Sequence, residues 1–426
     1  MSSIVLVLVV VLFAAGTSLM VIFGVPALIG AYAATGSLDL VKEQIFSSLV
    51  QSELIALPMF ILLGNVMAKT GSGDAMLALC VTVFSRFRHS LIFATVAGAV
   101  FFAGTVGAAA AEAAVLATVL SKPMKRFGYP ESFTLGLIAA ASVLGIIIPP
   151  STPMIIYSAL AQVSLNEMFL AGVVPGLVLA LVILVCALIL AWKGGYGPAK
   201  GERPTSRSIL DMSTGRLLQT ALPISLIPLI IVASIYLGWA TPTESASVAL
   251  MYAIVVTLLQ GRLTRPMFME AVMESVRVMS AIALLIAVTQ MFAFVITYYR
   301  WPQALTEQII AIGMTALVFL MVTNVLLIIL GIPLEPAPLL FLIVPIVAPV
   351  LPALGINPVH FGIIVIVNLG LAIISPPVGL VLFTLASVTG TKSEQVFRAV
   401  LPFCAVILIG LLIITYVPSL SLFFKK

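Results

Sequence analysis

Runs of about 20 or more mostly apolar residues recur along this chain. Among them are Ile4 to Ala33, Phe169 to Trp192, Leu217 to Leu237 and Ala399 to Phe424. Each is long enough for a helix to cross a bilayer. One aqueous core cannot absorb them: 62% of the 426 residues are hydrophobic and 8% are charged, against about 25% charged in soluble domains. A globule must also show polar surface to water. A membrane barrel is excluded because its strands alternate apolar and polar residues, and these runs do not. The fold class expected is an all-α polytopic membrane protein.

The net charge of +5 is no nucleic-acid signal, because the basic residues sit in short clusters between apolar runs, where the positive-inside rule puts them. Cys80, Cys186 and Cys404 lie far apart in apolar segments, with no metal or redox spacing. The first run has no basic start and exceeds a signal-peptide core, so it reads as a retained helix. No phosphate-binding loop, His-Glu-x-x-His or Gly-x-Ser-x-Gly motif occurs, so neither ATP hydrolysis nor proteolysis is expected, and the chain is not read as an enzyme.

Basic clusters assign sides. Arg86 and Arg88 precede, and Lys122, Lys125 and Arg126 follow, an apolar stretch over about residues 90–121 broken by Gly104, Thr105 and Gly107. Positive flanks at both ends suit a re-entrant hairpin; the alternative is two short spans joined by a tight turn. A helix over about 133–161 is interrupted at Pro149-Pro150, and Phe169 to Trp192 returns to a basic, cytoplasmic loop. After the linking helix Leu217 to Leu237, a second broken stretch over about 313–351 carries Gly331, Pro333 and Pro336, and a second interrupted helix covers about 361–390. Leu38 to Leu54 and Pro266 to Arg277 read as amphipathic helices in the headgroup plane, the second followed by an outward span from Arg277 to the aromatic belt at Tyr298-Tyr299-Arg300-Trp301.

These features repeat. Gly145-Ile-Ile-Ile-Pro149-Pro150 recurs as Ala372-Ile-Ile-Ser-Pro376-Pro377, 227 residues on, and Gly128 to Phe133 recurs as Gly355 to Phe361. The expected organisation is a first unit over 1–192, a loop and linking helix over 193–239, and a second unit over 240–426. An odd number of crossings before the second unit makes the repeats inverted, the architecture of secondary transporters, with a site near the midplane at broken helices.

The chemistry concentrates at the breaks. Proline lacks an N–H and clashes with the preceding turn, so Pro149-Pro150 and Pro376-Pro377 free carbonyls around Gly145 and Ala372; simple proline kinks are the alternative. Free carbonyls with the hydroxyls of Ser151, Ser375 or Thr105 suit a hard monovalent cation, and exposed helix N-termini suit an anion. Gly107, Gly331 and Gly379 add backbone without side chains. Glu112, Glu335 and Glu244 are acids in apolar surroundings, which are functional by default in a membrane. The first two read as cation-site or tip-capping groups at matched hairpin positions. Glu244 follows Thr241-Pro-Thr243 and reads as part of a helix start, with Thr243 after the proline as its cap. His89 and His360 read as structural.

Leu57-Pro-Met-Phe-Ile-Leu-Leu-Gly64, Gly145 to Tyr157, Ala171-Gly-Val-Val-Pro-Gly176, Thr241-Pro-Thr-Glu244 and Ser375 to Phe383 together resemble the large membrane subunit of tripartite ATP-independent periplasmic (TRAP) transporters, over essentially the whole chain. The resemblance implies an elevator-type importer of the bacterial inner membrane, driven by sodium ions and needing no other cofactor. It also implies a small four-helix membrane subunit, a periplasmic solute-binding protein and a small organic anion of the carboxylate class. Sodium and substrate would bind within Thr105, Gly107, Glu112, Gly145, Pro149, Pro150, Ser151, Gly331, Glu335, Ala372, Ser375, Pro376 and Gly379. Family members carry serines in the first tip and an Asp after it; here the tip reads Gly104-Thr-Val-Gly-Ala-Ala-Ala-Ala-Glu112. Rival readings are a self-sufficient sodium–anion symporter of related elevator fold and a membrane anchor subunit that transports nothing.

Overall fold

The computed structural model describes residues 2–37, 39–50, 52–106, 109–199, 202, 204, 214–332 and 334–424. Among these residues the regular structure is entirely helical. Six helices among the described residues are long and apolar enough to cross a bilayer, or up to eight if each of two bent pairs counts as one span.

The helices of the N-terminal half are α1 (Ser2–Ala14), α2 (Leu19–Thr35), α3 (Asp39–Leu49), α4 (Ser52–Lys69), α5 (Ser72–Val83), α6 (Ser90–Val106), α7 (Ala109–Arg126), α8 (Glu131–Ser142), α9 (Leu144–Ile147), α10 (Thr152–Ala161) and α11 (Leu165–Gly194). A linking helix, α12 (Thr214–Tyr236), leads to α13 (Pro242–Leu259), α14 (Arg265–Tyr298), α15 (Trp301–Ala311), α16 (Ala316–Gly331), α17 (Pro336–Val347), α18 (Pro358–Ala372), α19 (Leu380–Thr389), α20 (Ser393–Tyr416) and the short α21 (Pro418–Ser421).

Two expectations change. The run Ile4 to Ala33 is not one helix. Gly16, at φ 67°, ends the first segment, and α2 folds back so that Val5 lies against Gly30. A positive φ costs glycine nothing, so the turn forms inside an apolar run that hydropathy alone reads as continuous. Conversely, Pro266 to Arg277 is no separate interfacial helix. It is the first part of the 34-residue α14, because neither Gly nor Pro follows Pro266 before Tyr298 to stop the backbone ladder. Its counterpart in the N-terminal half is split into α3 and α4.

Helices α2 to α11 are followed in the same order by α13 to α20, with α3–α4 answered by α14 and α8–α9 by α18; each start lies 223 to 229 residues after its counterpart. Left-handed backbone falls at corresponding turns, Gly128 with Gly355 and Gln162 with Gly390. Packing is reciprocal as well. Helix α7 packs on α19 and α17 on α10; α8 packs on α20 and α18 on α11; α4 packs on α14. The pairs map onto each other under the repeat, so each half completes the other.

The core lies at the interrupted helices. Every residue from 133 to 151 and from 359 to 374 is buried. That placement allows the interruptions, since non-helical backbone survives at membrane depth only where protein or a wet cavity covers it. Outward-facing apolar side chains are spread over α1, α2, α11, α12, α13, α14, α16 and α20, such as Leu6, Leu181, Leu226, Met251 and Val325.

Candidate functional site

In the first interrupted helix, α8–α9 and α10 meet at a 40° bend. Ile148 and Ser151 are extended, and the Pro149–Pro150 bond is cis. Two prolines in succession remove two donors, so carbonyls of α9 lose their helical partners. One is recovered locally: Ser151 Oγ donates to the Ile146 carbonyl at 2.5 Å. The second arm of the first hairpin closes over this break. Glu112, in the first turn of α7, is fully buried, and neither carboxylate oxygen has a hydrogen-bond partner among the described residues. Its Oε2 presses on Gly145 so closely that a methyl there would overlap it. A buried carboxyl without a partner is costly, and this one abuts the turn that ends in free carbonyls.

The second interruption runs from Ile373 to Gly379 between α18 and α19. Ser375 Oγ donates to the Leu371 carbonyl at 2.7 Å, and the Val381 N–H spans the gap to the Ile373 carbonyl at 3.2 Å. Pro376–Pro377 is again cis, and Gly379 has φ 33°. Gly331, at the end of α16, sits on Ala372: an added Cβ would come within 2.6 Å of the Ala372 methyl. The two breaks differ chemically. At a spacing of 227, Glu112 corresponds to Leu339, whose side chain lies beside Gly331. Glu112 and Glu335 are therefore not matched positions. Glu335 stands just before α17 as its N-cap, with its side chain exposed.

A cavity of about 330 Å³ lies between the breaks. Its lining includes the starts of four helices: Ala109 to Ala111 of α7, Thr152 and Pro153 of α10, Pro336 and Ala337 of α17, and Leu380 and Val381 of α19. Helices α4 and α14 close the side, through Ile61, Gly64, Asn65, Ala68 and Val278. Each helix start carries roughly half a positive charge, so an arrangement of four is suited to an anion, although Pro153 and Pro336 carry no N–H and the Val381 N–H is given to the Ile373 carbonyl. The C-terminal ends of α9 and α18 offer carbonyls from the other side of each break, suited to a cation.

Of the residues singled out from sequence, Glu112 and Gly145 meet at the first break, Gly331 and Ala372 at the second, and Glu335 lines the cavity. Pro149, Pro150 and Ser151 form the first interruption; Ser375, Pro376 and Gly379 form the second. Thr105 belongs to α6, and Gly107 lies outside the described residues. Glu244 is a cap: Thr241 Oγ1 accepts from the Glu244 N–H, and the Thr241 N–H donates to Glu244 Oε2 at 2.8 Å. The capping hydroxyl is Thr241's, ahead of the proline, and not Thr243's.

Sequence reasoning missed three groups. Asn65 faces the cavity and donates to Ser275 Oγ at 2.8 Å; one amide in an apolar run was its only signal. Asn368 donates to Asn324 Oδ1 at 2.6 Å, and Asn324 donates to Thr415 Oγ1 at 3.1 Å. This buried ladder ties α18 to α16 and α20; the positions 227 residues earlier are Ala141, Ala97 and Leu188. Tyr157 Oη donates to the Pro358 carbonyl at 2.6 Å, joining α10 to α18.

Known proteins resemble this chain over most of its length. The family described as "Tripartite ATP-independent periplasmic transporter, DctM component" matches residues 6–420. The C4-dicarboxylate TRAP transporter large permease protein DctM of Pseudomonas aeruginosa is 34% identical over 382 residues, 89% of this chain and 87% of that one. The sialic acid TRAP transporter large permease protein SiaM of Vibrio cholerae is 31% identical over 388 residues, 90% of this chain and 89% of that one. The YdaH transporter of Alcanivorax borkumensis shares the fold, with a TM-score of 0.68 at 14% identity over 92% of this chain and 89% of that one. The long apolar helices, the repeated breaks and these likenesses make this chain a multi-pass large permease subunit, a transporter component rather than an enzyme, and it belongs to the TRAP transporter family.

Proposed function

We propose that this chain is the sodium-coupled translocating subunit of an importer for a small organic anion of the carboxylate class in a bacterial inner membrane. The observation that carries the reading is the convergence of four helix starts and two carbonyl-bearing breaks on one cavity. The substrate's negative end meets the helix starts; sodium meets the carbonyls near Gly145, beside the hairpin that carries Thr105, and those near Gly331, Ala372 and Ser375. Binding cation and anion in adjacent places couples them electrostatically, because each lowers the cost of burying the other.

Reciprocal packing between the halves supports a two-fold relation, and we read the halves as inverted repeats. Inverted halves supply two conformations of similar energy by exchanging shapes, as alternating access requires. Helices α6 to α10 and α16 to α19 then move as an elevator body against a scaffold that includes α4 and α14. A small four-helix membrane subunit and a periplasmic binding protein complete the system.

Vesicles holding this chain and its small subunit test the assembly. Uptake that requires both an inward sodium gradient and the binding protein supports it. Equal uptake without the binding protein points instead to a self-sufficient symporter.

A further inference from the structure

The same cavity constrains which anion it accepts, an inference that rests on its being the transported anion's site. No Lys, Arg or His is among its described lining residues, and the hairpin positions outside the description, 107, 108 and 333, are Gly, Ala and Pro. Two cations stand next to lining positions. Lys69 is committed to Glu270 and Glu274, at 3.1 and 2.8 Å. Arg277 precedes Val278, but neighbours on a helix point about 100° apart, and its side chain is exposed. The walls are aliphatic, with Ile61, Ile146, Ile156, Val278, Ile373 and Leu380 among them, and Asn65, Thr152 and Glu335 supply the polar side chains.

We propose that this cavity selects a monoanion with an apolar body, a short branched-chain monocarboxylate, and rejects dianions. One carboxylate is served by the start of α7, where Ala109, Ala110 and Ala111 carry successive N–H groups; the other starts offer fewer, since Pro153 and Pro336 carry none and the Val381 N–H is given to the Ile373 carbonyl. A second would face an aliphatic wall or the Glu335 carboxylate, and an ionised group buried without a partner is strongly disfavoured. An alkyl body gains by burial against the isoleucines. The selection departs from the C4-dicarboxylate named for the Pseudomonas aeruginosa relative.

Transport assays would mix this selectivity with the binding protein's own, so the test is direct binding. The chain and its small subunit, in nanodiscs with sodium, are titrated with 3-methylbutanoate, succinate and the uncharged 3-methylbutanamide. The expected result is binding of 3-methylbutanoate at least tenfold tighter than either of the others. Succinate binding as tightly overturns the inference and leaves the anion reading standing. The amide binding as tightly as the acid overturns the anion reading too, and so does binding by none of the three. Val278→Arg adds a cation at a position 46% exposed, and succinate should then gain at least tenfold. An unchanged succinate affinity, with the melting profile intact, places the ligand elsewhere and overturns the inference.

Discussion

Gly145→Ala puts a methyl where Glu112 Oε2 now lies. Overpacking a filled site costs about 1–3 kcal/mol, while replacing glycine by alanine within a helix returns about 1 kcal/mol. The net loss is about 0–2 kcal/mol, which at its upper end weakens sodium half-saturation by about 30-fold if Glu112 must withdraw from the cation. A single variant with a net near zero decides little, so the sign change between backgrounds is the readout. In Glu112→Ala the space beside Gly145 is open, and the same methyl should be neutral or stabilising by about 1 kcal/mol. The two substitutions should therefore couple by about 1–3 kcal/mol, within the range of side chains in contact. Melting of the purified protein in nanodiscs reads the stability cycle, and initial uptake against sodium concentration reads the site. Gly145→Ala acting equally in both backgrounds would refute the contact between hairpin and break on which the site is built.

Three further outcomes follow from the same geometry. Pro376→Ala/Pro377→Ala lets the carbonyls of α18 bond within a continuous helix and should nearly abolish sodium-dependent uptake, whereas Ser375→Ala removes at most one ligand and should only raise the sodium concentration needed; wild-type sodium curves in both would reduce the break to a kink. Asn368→Leu leaves Asn324 buried without its donor and should cost about 1–3 kcal/mol in melting stability, with the double change Asn324→Leu/Asn368→Leu less costly than the two singles added together. Glu244→Ala breaks one capping box, should cost about 1 kcal/mol and should leave sodium dependence unchanged; an altered sodium curve would give Glu244 a role beyond the cap.

Much of the fold was legible because its strongest signals are local. Helical spans announce themselves by length, and the prolines at 149–150 and 376–377 cannot sit inside an uninterrupted helix. The glycine-broken hairpins fell close to α6–α7 and α16–α17 for the same reason. What failed was continuity. Gly16 reverses the chain within an apolar run, and α14 passes straight through a segment whose charges suggested the headgroup plane. Hydropathy averages over a window and registers neither event. At the site, sequence could name the break residues but not their partners. That Glu112 meets Gly145, or that Asn368 finds Asn324, depends on packing between helices distant in the chain. Asn65 was invisible for the opposite reason: one polar residue in an apolar run signals nothing until a cavity opens beside it.

The claim that the two breaks form a sodium-coupled anion site is tested most directly by accumulation into vesicles that contain this chain, its small subunit and the binding protein. The radiolabelled anion is one the binding protein itself carries. Sodium is either imposed as an inward gradient or held equal on both sides, with the membrane potential clamped at zero. Accumulation above equilibrium only with the inward gradient, and lost when Pro149, Pro150, Pro376 and Pro377 are all replaced by alanine, is the result the account predicts. Accumulation that ignores the gradient, or that survives the loss of all four prolines, would contradict it.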